Sequence, residues 1–180
     1  MWRQEAQPRR FYFVDESGFA PGLRLRYGYS KRGERCRDSA PYRAGKRMSL
    51  LGWISSRGSG LISPYAGKVD HTVFERFVEE KLAPAVVAGD VVLWDNATTH
   101  SQSARQMIAA AGGEVVPLPR YSPDMNPIEM LWSQLKHKVR GRRPDTEDQL
   151  RTALAEALKE ITAEDILAYA RHCGFKLHLS

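Results

Sequence analysis

The spacing of apolar residues along this chain changes several times, and each change marks an element. Residues 11–19, "FYFVDESGF", begin as an apolar run and end in turn residues, so a strand is predicted to finish near Asp15. Residues 20–45 are rich in Gly, Arg and Tyr, contain Pro21 and Pro41, and read as a long excursion without periodicity. "RMSLLGWISS" (47–56) and "GLISPYAG" (60–67) predict two strands joined as a hairpin at Arg57-Gly58-Ser59. From Asp70 the period becomes helical, with Val73, Phe74, Phe77, Val78 and Leu82 on one face and Pro84 marking an end or a kink. A buried strand over 90–95 follows. A short helix carrying Ala104, Met107, Ile108 and Ala111 comes next and closes at Gly112-Gly113.

"EVVPLP" (114–119) is a further short strand, placed near a sheet edge by its prolines. Asn126 then stands as N-cap and Pro127 as first residue of a helix whose apolar face is Ile128, Leu131, Trp132, Leu135 and Val139. Two more helices carry capping signals, Thr146 with Gln149 and Thr162 with Asp165. No internal repeat or low-complexity tract interrupts the pattern. The order is strand, hairpin, helix, strand, helix, strand, then helices. It predicts an α/β fold: a mixed five-stranded sheet flanked by helices, with extra helices at the C-terminal end.

At 180 residues the chain has room for one domain with a real core. No apolar run approaches the roughly 20 residues of a membrane span, and "MWRQEAQPRR" lacks the apolar centre of a signal peptide. The expectation is a cytoplasmic protein without a membrane partner. Cys36 and Cys173 have no metal or disulfide spacing and read as free thiols.

Charge changes the picture more. The formal net charge is +6 and the sequence pI about 9.5. Residues 24–47 hold Arg24, Arg26, Lys31, Arg32, Arg35, Arg37, Arg43, Lys46 and Arg47 against Glu34 and Asp38, and "KHKVRGRR" (136–143) holds no acid. Two such segments suit the phosphates of nucleic acid.

Three carboxylates stand where a core would not place them. Asp15 and Asp95 close strands, and Glu129 opens a helix. In sheets with helical crossovers, ligands bind at the carboxyl ends of strands. If those two strands are neighbours, Asp15 and Asp95 share one crevice. Carboxylates gathered there repel unless cations neutralise them, and oxygen-only ligands suit Mg²⁺ or Mn²⁺. Each residue also has a structural alternative: Asp15 as a cap for the turn at Ser17-Gly18, Asp95 as an Asx-turn former with Asn96, Glu129 as the far half of a capping box. Along the same helix Glu129, Ser133, Lys136 and Arg140 form one stripe beside the apolar face, so a carboxylate continues into cations.

"VDESGF", "WDNATTH" and "LPRYSPDMNPIEMLWSQLK" resemble the three catalytic blocks of DDE transposases of the mariner superfamily, and more closely those of its bacterial insertion-sequence branch. Glu129 lies 34 residues after Asp95, close to the interval of that branch, and the resemblance runs from about residue 10 to about residue 140. It implies an RNase H-like catalytic domain over 1–145. The helical extension over 146–180 matches no motif and is expected to pack on the same domain or to serve an oligomer contact.

The resemblance further implies a triad of Asp15, Asp95 and Glu129 holding two Mg²⁺ (or Mn²⁺) ions. Asn96, His100 and Asn126 would support it, and Tyr121, Ser122, Pro123 and Pro127 would shape the loop presenting the third carboxylate. Arg24, Arg26, Lys31, Arg32, Arg120, Tyr121, Lys136, Arg140, Arg142 and Arg143 are the candidate DNA contacts. The implied activity is metal-dependent cleavage of DNA at element ends followed by strand transfer into target DNA at TA dinucleotides. A homodimer is implied too, with residues 20–45 as an inter-subunit clamp, and association with the nucleoid when DNA is bound. Relatives carry an N-terminal helix-turn-helix region for which residues before the first block leave no room. A separate helix-turn-helix polypeptide, or a missing N-terminal region, is therefore expected. Two rival readings are an RNase H-like nuclease without strand transfer and a non-catalytic DNA-binding remnant.

Overall fold

The computed structural model describes residues 9–25, 27–37, 39, 45–95, 101–119 and 122–175. Arg26, Asn96, His100, Arg120 and Tyr121 lie outside the described residues. Five strands, β1 (Phe11–Phe19), β2 (Met48–Ser55), β3 (Gly60–Ala66), β4 (Val91–Trp94) and β5 (Glu114–Pro117), form one sheet in the order β3-β2-β1-β4-β5. β1, β2 and β3 pair antiparallel, whereas β4 and β5 join in parallel. This is the mixed sheet that the element order predicts.

Both faces are covered, which is why β4 reads "VVLW" rather than alternating. Val91 and Leu93 join a core with Phe13, Ile54 and the helix α3 (Pro127–Arg142). Val92 and Trp94 point the other way, to Tyr12, Val14, Trp53 and the helices α1 (His71–Phe77) and α2 (Gln102–Ala110). α2 ends as its Gly112-Gly113 pair predicts: Gly112 has φ 85°, and Gly113 N–H donates to the Ile108 carbonyl at 3.0 Å.

One expectation needs correction, and two hold with added detail. β1 does not end near Asp15; it runs on to Phe19, because β2 pairs with it throughout, from Tyr12↔Ser55 to Phe19↔Met48. The helix from Asp70 is regular only to Phe77, then widens into a π turn over Val78–Leu82 and tightens over Ala83–Ala85, where Pro84 lacks an N–H. Asn126 holds the N-cap position of α3, but its side chain makes no capping bond. No reciprocal box therefore forms with Glu129, and that structural alternative for Glu129 falls away.

The helices α4 (Glu147–Lys159) and α5 (Ala163–His172) both start at the predicted capping boxes. Leu150, Leu154, Ile166 and Tyr169 bury against the same cluster as Trp132 and Leu135. No helix among the described residues is long and apolar enough to cross a membrane.

We infer that α4 and α5 belong to the cooperative unit of the sheet. Leu154→Ala should cost about 2–5 kcal/mol, as buried Leu→Ala changes do, and shift a single urea transition. Two separated transitions, with only the later one insensitive to the substitution, would show an independent C-terminal unit.

Candidate active site

The position of Asp15 is set from the opposite end of its strand. Arg10 donates from Nε (3.1 Å) and Nη2 (2.6 Å) to Oδ2 of buried Asp90, and Val91 N–H donates to the Arg10 carbonyl at 2.9 Å. These bonds fix the parallel register Phe11↔Val91, Tyr12↔Val92, Phe13↔Leu93. Carried two residues past its last pair, that register sets Asp15 level with Asp95, the residue after β4, and the Asp95 charge reaches Asp15. The sheet's two chemistries part here: β1 keeps its antiparallel partner, and its parallel partner has just ended.

Asp15 shares a face with Phe13 and Phe19, the face on which α3 packs. There the indole Nε1 of Trp132 donates to Asp15 Oδ2 at 3.0 Å. Trp132 is 1% exposed, so this bond satisfies a buried donor and orients the carboxylate together. Glu129 lies three residues earlier on α3, hence on the neighbouring turn of the same side. Across β1, the partner of Asp15 on β2 is Gly52, which brings no side chain to the pair.

The electrostatics follow from this placement. Burial pushes the Asp15 carboxyl up to about 8 from its usual 3.8, and the Glu129 charge adds to the shift. The Glu16 N–H and the Trp132 indole pull the other way, and Asp95 raises it a little more. Glu16, on the opposite face of β1, is also raised by burial; Arg47 and Lys68 draw it down, and Asp95 opposes them. Asp15 therefore feels both Glu129 and Asp95. Even so, among the described residues no three His, Cys, Asp or Glu groups are gathered as a ready metal-ligand cluster. The donors fit a hard divalent cation in kind, being all carboxylate oxygen, and in charge, because their mutual repulsion is what a cation relieves.

The other expected site residues divide. Asn126 is 4% exposed at the start of α3, and its Oδ1 has no hydrogen-bond partner among the described residues. Lys136 and Arg140 are half-buried on the stripe with Glu129, and the Lys136 ammonium lies 5.9 Å from the Phe19 ring centroid. Lys31 and Arg32 are exposed in a turn closed by Glu34 N–H donating to the Lys31 carbonyl. Arg24 and Arg142 differ from expectation. Arg24 pairs with Asp145 and donates to the Ser39 carbonyl, while Arg142 pairs with Glu156 and Glu160. Both guanidinium groups hold segments together, which competes with a phosphate for the same donors. Arg143 lies exposed just beyond α3.

Two contributors escaped the sequence reading. Trp132 was placed only on an apolar face, although its i, i+3 spacing from Glu129 was the available signal. Arg47 lies across Gly18, where an added methyl would come within 2.0 Å of its guanidinium, so the glycine of "DESGF" makes room for a cation beside Glu16.

Residues 10–151 match the family described as DDE superfamily endonuclease, and the chain belongs to that family. The Tcb1 transposable element transposase of Caenorhabditis briggsae is 26% identical over 122 residues, covering 65% of this chain and 45% of that protein. Among solved structures, the Mos1 strand transfer complex superposes with a TM-score of 0.72 at 21% identity, over 91% of this chain and 51% of that one. The mariner Mos1 paired end complex with Mg gives 0.66 at 20% identity, over 91% and 53%. The fold is thus the RNase H-like one of the Mos1 catalytic domain, a mixed five-stranded sheet with flanking helices. The chain spans about half the length of these relatives.

A pH dependence follows. In the metal-free folded protein Asp15 keeps its proton up to about pH 8, whereas in the unfolded chain it ionises near 3.8. The folded state binds the extra proton between those values. Its contribution is thus complete below about pH 4 and lost as pH rises through 8. In EDTA, the melting temperature should fall between pH 5 and pH 8.5. Asp15→Asn should flatten that part of the profile, and an unchanged slope in this variant would place its origin elsewhere.

Proposed function

We propose that this chain is the catalytic domain of a transposase that cuts DNA and transfers the cut strand to target DNA. The observation that carries the reading is that Asp15, held by Trp132, lies within charge range of both Glu129 on α3 and Asp95 just after β4. Asp15, Asp95 and Glu129 would hold two divalent cations, Mg²⁺ or Mn²⁺. Such ions supply charge neutralisation at the phosphate and a more acidic bound water.

The protein's own groups do the rest. Trp132 keeps Asp15 facing α3, and Lys136 and Arg140 continue the Glu129 stripe as a track for the DNA backbone. Cleavage and joining are both phosphoryl displacements, so one set of positioned groups serves both. The relatives support the choice of strand transfer, one of them being a strand transfer complex. The partners we assign are element-end DNA, target DNA and a second copy of the chain. Within the superfamily, "YSPDMNPIEMLW" favours the bacterial insertion-sequence branch.

The test uses supercoiled plasmid for nicking and pre-cut ends for joining, each with Mg²⁺ or Mn²⁺. Asp95→Ala and Glu129→Gln should each reduce both reactions by at least about 10³-fold, the scale seen when one member of a cooperating catalytic group is lost. Nicking without joining would favour a nuclease. Undiminished nicking by Asp95→Ala would remove that residue from the site.

A further inference from the structure

Arg47, Gly18 and Lys68 meet at the carboxyl end of β1, the end of the sheet where β4 also stops. β1 runs out at Phe19, which pairs with Met48, the first residue of β2, and Met48 pairs in turn with Ala66, the last of β3. Arg47 directly precedes Met48, and Lys68 follows Ala66 by two residues, so both leave the sheet at that end. Their backbones are tied together. Gly67 N–H donates to the Arg47 carbonyl at 3.1 Å, and the Oγ of buried Ser49 donates to the Gly67 carbonyl at 2.6 Å. Beyond Lys68, Val69 is fully buried and Asp70 caps α1. Lys68 therefore rises from a short link anchored on both sides.

The Arg47 guanidinium reaches across β1 onto Gly18. A methyl on Gly18 would stand 2.0 Å from Nη2 and 2.3 Å from Cζ and Nε, so the missing side chain is what lets the guanidinium lie there. Gly18 shares its face of β1 with Glu16, opposite to the face of Asp15. The charges of Arg47, Lys68 and Asp95 all reach Glu16, which sets both cations beside the carboxylate site. Both cations are exposed, and two of them face the one carboxylate of Glu16, so their charge is not used up by it. On the other face of β1, Lys136 lies against Phe19. We propose that Arg47 and Lys68 are positioning residues that hold DNA backbone phosphates on the Glu16 side of the carboxylates, with Gly18 as the seat of the Arg47 guanidinium. The inference rests on the DNA-processing reading and adds a second line of contact to that of Lys136 and Arg140. A strand held on both faces of β1 is fixed across the site rather than at one end of it. Arginine suits the task because its planar fork meets two phosphate oxygens at once.

The test is fluorescence anisotropy with a labelled DNA duplex, measured in EDTA over a series of salt concentrations. Arg47→Gln and Lys68→Gln should each weaken binding by roughly three- to tenfold and lower the slope of log affinity against log salt by about 1, as loss of one phosphate contact does. Gly18→Ala should match Arg47→Gln, because the added methyl displaces the guanidinium while the strand backbone accepts alanine. The double variant Gly18→Ala, Arg47→Gln should bind no more weakly than Arg47→Gln alone. Arg47→Lys should keep the slope, and Glu16→Gln, which removes a repelling charge, should not weaken binding. In Mg²⁺-dependent nicking the losses should fall on KM, with kcat within about threefold, as for contacts made equally in ground and transition state.

Parent-like affinity and slope in Arg47→Gln and Lys68→Gln would overturn the proposal. A binding loss in Arg47→Gln that Gly18→Ala does not share would overturn the seat. If the two cations only neutralised Glu16, Arg47→Gln would lower the melting temperature, Glu16→Gln would restore it, and DNA affinity would never change; that pattern overturns the proposal as well. So would a changed oligomeric state of Arg47→Gln by light scattering with DNA affinity intact, which would assign Arg47 to a subunit contact. A parent that binds DNA through both cations but never nicks would overturn the catalytic reading and leave the phosphate contacts standing.

Discussion

The bond from Trp132 to Asp15 joins the two halves of this molecule that matter for chemistry. On the α3 side of the sheet, β1 presents Phe11, Phe13, Asp15, Ser17 and Phe19, a row whose phenylalanines are interrupted by a carboxylate and a hydroxyl. That row is packed by α3, and Trp132 is the residue of α3 that meets the break with a donor instead of a hydrocarbon. One hydrogen bond does not neutralise a charge. The nearby cations Arg47 and Lys68 act on Glu16, on the other face of β1, and Gly52 brings no side chain to Asp15 from β2. The protein thus holds an acid in a place that favours its protonated form. Such costs are retained at sites where a ligand relieves them.

The location follows from sheet topology. β2 supports β1 as far as Phe19, while the parallel pairing with β4 ends at Phe13↔Leu93 and β4 itself at Trp94. A carboxylate placed just beyond has a rigid base in β1. The Arg10–Asp90 pair fixes the register at the other end of both strands, about five residues away, and a slip of one residue would send Asp95 to the opposite face. A clamp built for stability therefore also sets which acids can meet.

Much of this was legible in the sequence because the local signals agreed with one another. β4, the end of α2 and the two capping boxes were each marked by residues acting on their immediate neighbours, and each appears where expected. The misreading falls where a distant partner decides: β1 continues past Asp15 because β2 pairs with it. Asn126 occupies its cap position without a side-chain bond, and Pro84 stands where the helix tightens and ends. The three carboxylates were legible as residues out of place, and the resemblance to known catalytic blocks linked them. Neither route could assign an indole donor to Asp15, since Trp132 satisfies the apolar pattern equally well.

The basic segments show the same limit on a larger scale. A net charge of +6 counts every arginine alike, but the fold separates them by their surroundings. Arg24 and Arg142 meet acids at the base of the excursion and on α4, and so serve as fasteners. Arg37, Arg140 and Arg143 come together, from segments about a hundred residues apart, where the excursion meets the end of α3. The fasteners bring those segments together. Arg24 ties the excursion to the residues just beyond α3, beside the Gly22–Pro144 backbone bond. Positive charge thus has a structural task here: Arg24 and Arg142 are spent on holding segments together.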